Sequence, residues 1–480
     1  MKYGRSSGVL LHVTTLPSEW GSGDLGPEAE RFVRWLASGN QRVWQILPLN
    51  PVGGGSSPYT ALSAFAGNPD LISPERLAED GLLEPAVAAG RHRALSAAWD
   101  RAKESREIAQ RIDSWSATED VRGWLDDWVL FATIREIQGD RSWRDWPDEL
   151  RHRDSAALEK IRDQHGDEMR FHRFCQWMFQ LQWDRIHDYA VERGISMFGD
   201  APIYVSWDSA DVWAHPDRFL LDDDLEPTVV AGVPPDYFSE TGQRWGNPIY
   251  DWARMKRDSF GWWIERLRRN LALVDVLRLD HFRAFAGYWE IPASEETAVN
   301  GQWKKGPGIE VFRRATEALG PMPLVAEDLG TITPDVERLL EKTGYPGMKV
   351  MQFGFGDPDN IHLPHRYSRD TIGYTGTHDN DTFLGWFRSA GEKERKHAKR
   401  YLGARSERDI VSKAIEALYR SRAETAIVPM QDVLGLGSDA RMNTPGTVEG
   451  NWRWRLEPDQ LIEKDAKRLA TLATETGRSR

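Results

Sequence analysis

The most constraining feature of this 480-residue chain is a set of eight short apolar segments, most of them separated by stretches with helical periodicity. Near-continuous apolar segments are typical of strands that are buried on both faces of a parallel sheet. Eight such strands alternating with helices predict an α/β fold, a (β/α)₈ barrel. The predicted strands are Gly8–Val13, Val43–Leu49, Ile195–Asp200, Leu273–Asp280, Pro323–Glu327, Met348–Phe353, Thr371–Thr375 and Thr425–Met430.

The spacing of the strands predicts one barrel domain over residues 1–480 with two insertions. Residues 50–194, after the second strand, are charged and mostly helical in pattern, which indicates a helical subdomain. Residues 201–250, after the third strand, show little regularity and are predicted to be rich in loops. Long segments that follow barrel strands lie on the C-terminal face, where active sites occur.

Three helices can be located from the sequence. The first is Pro27–Ser38, which begins at a proline and is followed by Gly39. Apolar residues spaced by three and four predict a long helix over about residues 167–193 and another over about 251–271.

The composition excludes several classes of protein. The chain has 62 basic and 74 acidic residues, a net charge of −12, which argues against nucleic acid or an anionic membrane as a partner. The single cysteine, Cys175, excludes an intrachain disulfide and a multi-cysteine metal site. The apolar stretch Val9–Val13 is too short for a signal peptide, and a cytoplasmic location is expected. No metal or cofactor motif is present, so neither is expected.

Four carboxylates lie at or just after the ends of predicted strands. Asp200, Asp280 and Glu327 end the third, fourth and fifth strands, and Asp379 follows the seventh. Each one alone would more simply be a helix cap or half of a salt bridge. Four of them at one rim would repel one another, which would raise at least one pKa and leave other carboxylates ionised. That combination favours a general acid beside an ionised carboxylate.

Basic side chains accompany these acids. Arg278 stands two residues before Asp280, so both side chains point to the same face of the strand, where the guanidinium would keep the carboxylate ionised. His281 and His378 adjoin carboxylates and either donate hydrogen bonds to a hydroxyl-rich ligand or are ordinary polar residues at strand ends. Two carboxylates acting on a neutral, hydroxyl-rich substrate indicate glycoside chemistry.

Several motifs resemble those of known enzymes. Arg278–Arg283 (RLDHFR), Ala326–Gly330 (AEDLG) and Gly376–Asp381 (GTHDND) resemble motifs of the α-amylase superclan. Longer strings, in family order, resemble the 4-α-glucanotransferases of glycoside hydrolase family 77. These strings are Arg5–Leu16, Ser63–Pro69, Gly199–Val205, Asp208–Trp213, Thr241–Tyr250 and Arg441–Arg455.

The resemblance implies a (β/α)₈ barrel without a separate C-terminal β-domain, and it implies a role for each matched residue. Asp280 matches the nucleophile, Glu327 the general acid/base and Asp379 the stabiliser of the transition state. Residues 234–250 match a lid over the cleft. The substrate-binding candidates are Tyr59, Asp200, Gln243, Trp245, Arg278, His281, His378 and Asn443.

The implied activity is that of a retaining 4-α-glucanotransferase. Such an enzyme cleaves an α-1,4-glucan and moves the glucanyl segment, through a covalent β-glucosyl-aspartate, to the 4-hydroxyl of glucose or a maltooligosaccharide. The expected substrates are maltooligosaccharides, amylose and other α-1,4-glucans, and cyclisation is a possible outcome. Both a monomer and a homodimer remain open.

Two alternatives share this sequence pattern. An α-amylase-like hydrolase would use the same three carboxylates. A non-catalytic glucan-binding barrel would be expected to have lost at least one of these three carboxylates, whereas this chain retains all three. A pyridoxal-phosphate phosphorylase is disfavoured because nothing resembles its lysine motif.

The chain has 22 tryptophans, and most are expected to be core residues. Those in the helical insertion are expected to pack that insertion on the barrel. Four others lie near the predicted catalytic face, where an indole can stack on a sugar ring: Trp207, Trp213, Trp245 and Trp289.

Overall fold

The computed structural model describes residues 4–84, 90–235, 239–447 and 449–479. Within them lie twelve strands: β1 (Ser6–Leu10), β2 (Val43–Gln45), β3 (Ser196–Ala201), β4 (Val229–Val233), β5 (Gln243–Pro248), β6 (Val276–Leu279), β7 (Gly287–Pro292), β8 (Gln302–Lys305), β9 (Leu324–Ala326), β10 (Gly347–Val350), β11 (Thr371–Tyr374) and β12 (Thr425–Pro429).

The same residues form eighteen α-helices: α1 (Pro27–Ser38), α2 (Pro74–Glu79), α3 (Arg91–Ala102), α4 (Arg106–Ser116), α5 (Leu125–Ile137), α6 (Asp148–Arg151), α7 (Ser155–Gln164), α8 (Gly166–Glu192), α9 (Ala210–Ala214), α10 (Trp252–Arg257), α11 (Gly261–Leu273), α12 (Ile309–Leu319), α13 (Pro334–Thr343), α14 (Phe383–Ser389), α15 (Glu392–Leu402), α16 (Glu407–Arg420), α17 (Met430–Val433) and α18 (Glu463–Glu475). Short 3₁₀ helices span Val13–Thr15, Pro69–Leu71, Trp143–Asp145, Pro216–Arg218, Phe282–Phe285, Met351–Gly354, Pro364–Arg366 and Ser438–Ala440.

Eight of the strands form a parallel barrel. Their order is β10-β11-β12-β1-β2-β3-β6-β9, and every neighbouring pair in it is parallel. The barrel closes between β9 and β10, where the amide of Ala326 donates to the carbonyl of Pro346 at 3.0 Å. Each of the eight predicted strands overlaps one of these, so the predicted (β/α)₈ fold is confirmed.

The strands separate two hydrophobic cores. Successive side chains of a strand point to opposite faces, so Leu10 packs inside the barrel while Val9 packs against the surrounding helices. The interior core is completed by large apolar side chains from every barrel strand and from the segments that follow β2 and α17. Its other members are Val43, Leu47, Phe198, Val276, Val325, Met348, Val350, Ile372, Tyr374, Ile427, Met442 and Trp452.

The helix predictions differ in outcome. The helix at Pro27–Ser38 is confirmed, and the long helix is α8, Gly166–Glu192. The single helix predicted over residues 251–271 is wrong, because α10 and α11 are separate. Ser259 and Phe260 between them are left-handed, with φ of 52° and 58°, a conformation that ends a helix. No helix in the described ranges is long and apolar enough to cross a membrane.

A second, antiparallel sheet lies outside the barrel in the order β5-β4-β7-β8. The prediction of little regularity in residues 201–250 missed β4 and β5. The sequence of β5, Gln243–Pro248, is QRWGNP, in which Gly, Pro and polar residues outnumber typical strand formers. Its strand conformation depends on pairing with β4. Of the predicted lid, residues 236–238 lie outside the described part of the chain.

The barrel's N-terminal side is held together by a buried arginine. Arg478 is completely buried, and its guanidinium donates hydrogen bonds of 2.7 to 3.2 Å to five backbone carbonyls. These carbonyls lie on β1 and on the segment from the end of α16 to the residue before β12. They belong to Ser6, Tyr419, Ser421, Ala423 and Glu424.

We expect Arg478→Ala to lower the free energy of unfolding by at least about 2 kcal/mol, because buried carbonyls lose charged donors. The thermal midpoint, measured by circular dichroism at a fixed scan rate, would fall by several degrees. The matched control is Arg420→Ala, which removes an exposed arginine paired with Glu416 and should cost less than about 0.5 kcal/mol. Equal midpoints for the two variants would contradict this role of Arg478.

Candidate active site

The candidate site lies where the barrel strands end. Asp200 on β3 is the direct register partner of Arg278 on β6, so both side chains point into the barrel mouth. Asp280 and Glu327 each come directly after a strand. The amide of Asp280 donates to the carbonyl of Ala201, and that of Glu327 to the carbonyl of Leu279, both at 3.0 Å. The continued backbone pairing fixes both acids at one rim.

Arg278 bridges two of the carboxylates. Its Nη1 lies 2.7 Å from both oxygens of Asp200, and its Nη2 lies 2.7 Å from Oδ1 of Asp280. Burial disfavours the charged guanidinium, but Asp200 and Asp280 raise its pKa well above the ordinary value. The Asp200 side chain is fully buried, whereas that of Asp280 is 28% exposed. Asp280 is therefore an oriented carboxylate that is accessible from the cleft.

Glu327 is held differently, by backbone amides. Its Oε2 accepts from the amide of His281 at 2.8 Å, and its Oε1 accepts from the amide of Leu329 at 2.7 Å. Burial raises the pKa of Glu327 to about 8, with a further contribution from Asp280, while Arg278 acts in the opposite direction. The carboxyl is therefore mostly protonated at pH 7. Repulsion between carboxylates contributes as expected, but burial is the larger cause.

His281 links Glu327 to the small sheet. Its φ of 49° is left-handed, and in this conformation its amide hydrogen-bonds the Glu327 carboxyl. Burial lowers the pKa of His281 to about 4, so its imidazole is neutral near pH 7. The ring of Trp245 packs edge-on against the imidazole, with centroids 4.8 Å apart. The indole Nε1 of Trp245 donates to Oε1 of Gln243 at 3.1 Å. Trp245 is 38% exposed, so it offers an aromatic surface beside the site.

Asp379 lies in the loop after β11. Its Oδ1 accepts from Nδ2 of Asn443 at 2.6 Å, and its Oδ2 is 3.3 Å from Nε2 of His378. The Asp379 side chain is 42% exposed and thus more open to the cleft than that of Asp280. The loop after β12, which carries Asn443, therefore meets the loop after β11 at this carboxylate.

Tyr59 joins the two halves of the site. Its hydroxyl donates to Oδ2 of Asp200 at 2.6 Å and lies 2.8 Å from Nε2 of His378. Since the phenol proton goes to Asp200, the histidine Nε2–H is the donor in the second contact. The rings of Tyr59 and His378 stack, with centroids 5.3 Å apart. Burial, followed by Asp200, raises the pKa of Tyr59 well above its ordinary value, so it remains a neutral donor.

All eleven predicted site residues are joined by these contacts or by direct sequence adjacency. The prediction singled out neither Leu329, which acts through its backbone amide, nor Trp452. The Trp452 ring packs 5.9 Å from Tyr59 and 6.0 Å from His378. A backbone amide leaves no signal in a sequence, but Trp452 lies inside the matched C-terminal string.

The prediction for the other tryptophans near the catalytic face needs correction. Trp213 is 1% exposed and donates to the carbonyl of Leu150, so its indole belongs to the core. Trp289 donates to the carbonyl of Ala298 and packs within the small sheet. The ring of Trp207 is covered by a guanidinium at 3.7 Å. Trp245, by contrast, contacts the imidazole of His281 in the site.

Known proteins share both this sequence and this architecture. The sequence profile of the 4-alpha-glucanotransferase family matches residues 11–461. The 4-alpha-glucanotransferase of Thermus thermophilus is 46% identical, with 100% of both chains covered. That of Synechocystis sp. is 45% identical, with 95% of both chains covered.

A solved structure supports the same assignment. The amylomaltase from Streptococcus agalactiae, in complex with acarbose, superimposes with a TM-score of 0.94 at 38% identity and 99% coverage of both chains. The resemblance found in the motifs is thereby confirmed. The chain belongs to the 4-α-glucanotransferase family, glycoside hydrolase family 77.

Proposed function

We propose that this 4-α-glucanotransferase cleaves α-1,4-glucans with retention and transfers the glucanyl segment to the 4-hydroxyl of glucose or a maltooligosaccharide. The observation that carries the proposal is the pairing of two unlike carboxyl groups. Glu327 is buried and has its pKa raised to about 8, while Asp280 is held by the Arg278 guanidinium. A protonated acid beside an ionised carboxylate is the arrangement that retaining glycoside chemistry requires.

In the first step, Asp280 attacks the anomeric carbon of the donor sugar. Because Oδ1 is engaged by Arg278, the attacking atom is Oδ2. The electron pair of the glycosidic bond passes to the leaving 4-oxygen, which takes the proton of Glu327. The products of this step are a β-glucosyl ester on Asp280, an ionised Glu327 and a free glucan with a new 4-hydroxyl.

In the second step, an acceptor replaces the leaving glucan. Its 4-hydroxyl gives its proton to Glu327 and attacks the anomeric carbon, which restores the α-linkage and releases Asp280 as a carboxylate. Transfer to a separate acceptor gives disproportionation, and attack by the distant end of the same chain gives a cyclic glucan. Glu327 is protonated again, and both carboxyls are ready for another cycle.

The other residues of the site bind the donor and acceptor sugars. The exposed Asp379 carboxylate, fixed by Asn443, is suited to binding ring hydroxyls as charge develops at the anomeric carbon. Tyr59, stacked on His378, offers an aromatic ring beside Asp200. The acceptor side carries the exposed Trp245 with Gln243. The acarbose bound by the streptococcal relative supports an α-glucan as the substrate of this chain.

Maltotriose distinguishes transfer from hydrolysis. We expect the wild-type enzyme to yield glucose together with maltopentaose and longer oligosaccharides, separated by anion-exchange chromatography. An α-amylase-like hydrolase would yield only glucose and maltose. Asp280→Asn should lose at least about 10³-fold in rate, because an amide cannot act as the nucleophile. The control is Asp148→Asn, whose side chain is 85% exposed.

The raised pKa of Glu327 predicts the alkaline limb of the pH profile. Below pH of about 8 the acid carries the proton that the leaving oxygen needs, and above it the proton is lost. We expect kcat/KM for maltotriose to fall by about tenfold per pH unit above pH of about 8. Circular dichroism across the same range controls for unfolding. A constant kcat/KM from pH 7 to 10 would exclude Glu327 as the acid.

Trp245 is expected to set the ratio of transfer to hydrolysis, because an acceptor sugar bound on its ring competes with water for the intermediate. Trp245→Ala should raise the share of hydrolysis, read as reducing ends formed per glucose released from maltotriose. The matched control is Trp303→Ala on β8, at the opposite edge of the same sheet, where the indole is 45% exposed. An unchanged ratio in Trp245→Ala would refute this role.

A further inference from the structure

Arg441 contacts the loop that carries Asp379. Its Nη2 donates to the backbone carbonyl of Asp379, and its Nε donates to the backbone carbonyl of Asn443, both at 2.7 Å. One guanidinium thus spans two segments, the loop after β11 and the loop after β12. Within the part of the chain that the structure describes, no hydrogen bond or ion pair joins the Arg441 guanidinium to the carboxylate of Asp379.

The same two segments are joined at two further points. The side-chain amide of Asn443 donates to Oδ1 of Asp379 at 2.6 Å, and the backbone N–H of Asn443 donates to the backbone carbonyl of His378 at 3.1 Å. Within the loop, Oδ1 of Asn380 accepts from the amide and the hydroxyl of Thr377, both at 2.9 Å. Arg441 therefore holds the carbonyl of Asp379 and, through Asn443, the donor that fixes its carboxylate.

Asp379 has particular need of such support. Asp280 is oriented by the buried Arg278, whereas Asp379 is 42% exposed, and no Lys or Arg within the described ranges forms an ion pair with its carboxylate. Its position depends on its backbone, on Asn443 and on the His378 imidazole, whose Nε2 lies 3.3 Å from Oδ2 of Asp379. An exposed carboxylate that must meet sugar hydroxyls within a few tenths of an ångström depends on the rigidity of the loop beneath it.

We propose that Arg441 is a positioning residue for Asp379, acting through the backbone of the loop and through Asn443. This inference rests on the role proposed above for Asp379. A guanidinium is required because two donors in a fixed fork reach two carbonyls at once, whereas a lysine ammonium is a single centre on a flexible stem.

The first test is the kinetics of Arg441→Lys on maltotriose. We expect kcat to fall about 10- to 100-fold, since a displacement of about 1 Å can cost that much, while KM changes by less than about twofold. Arg441→Gln, which keeps one donor and no charge, is the second variant if Arg441→Lys does not fold. The thermal midpoint of each variant establishes folding.

The matched control is Arg42→Lys. Arg42 also donates to two backbone carbonyls, of Gly194 and Ser479, at 3.4 and 3.0 Å, but it lies directly before β2, on the opposite side of the barrel from the site. Its substitution should leave kcat within about twofold of the wild type. An unchanged kcat in Arg441→Lys, or an equal loss in Arg42→Lys, would overturn the inference.

A double-mutant cycle on ligand binding tests whether Arg441 acts through Asp379. Acarbose is the probe, because its flattened, cationic valienamine unit resembles the transition state that Asp379 is proposed to stabilise, and its Kd is measured by calorimetry without need of activity. We expect Arg441→Lys to weaken binding about tenfold in the wild type but less than about twofold in Asp379→Asn. Equal effects in both backgrounds would overturn the inference. Full activity of Asp379→Asn would instead overturn the role proposed for Asp379, which separates the two failures.

Discussion

The barrel mouth and the site both depend on the ion pairs that the buried Arg278 guanidinium forms with Asp200 and Asp280. The guanidinium forms an ion pair with Asp200 inside the barrel and orients Asp280 at the rim. One side chain therefore stabilises the fold and positions a carboxylate of the site. Breaking a buried ion pair costs roughly 3–5 kcal/mol, so the contact of Arg278 Nη1 with both oxygens of Asp200 stabilises the pairing of β3 with β6. Without Arg278 the two carboxylates would face each other in a poorly solvated space, and one of them would take up a proton.

Asp280 and Glu327 are similar carboxyl groups in different surroundings near Arg278. Asp280 contacts the guanidinium and is partly exposed, whereas Glu327 is buried and accepts hydrogen bonds from two backbone amides. The environment thus raises the pKa of Glu327, whereas the Arg278 guanidinium orients Asp280. In the proposed mechanism the distinction between acid and nucleophile follows from these surroundings and not from the type of residue.

Much of this arrangement could be predicted from the sequence, and the reasons are physical. A buried parallel strand that ends in a carboxylate leaves a visible pattern, so the positions of Asp280 and Glu327 at one rim followed from the strand assignments. The strand Gln243–Pro248 could not be predicted, because its conformation comes from pairing with β4 and not from its own residues. The buried position of Trp213 likewise depends on the helical insertion, and the amide of Leu329 has no sequence signal at all.

In the proposed mechanism Asp280 becomes covalently attached to the donor sugar, and this species can be trapped. In Glu327→Gln the second step lacks its base, while an α-maltotriosyl fluoride donor needs no proton for its leaving group. Intact-protein mass spectrometry should then show one maltotriosyl group added per chain, and peptide mapping should place it on Asp280. An unmodified protein, or a sugar on any other residue, would contradict the account.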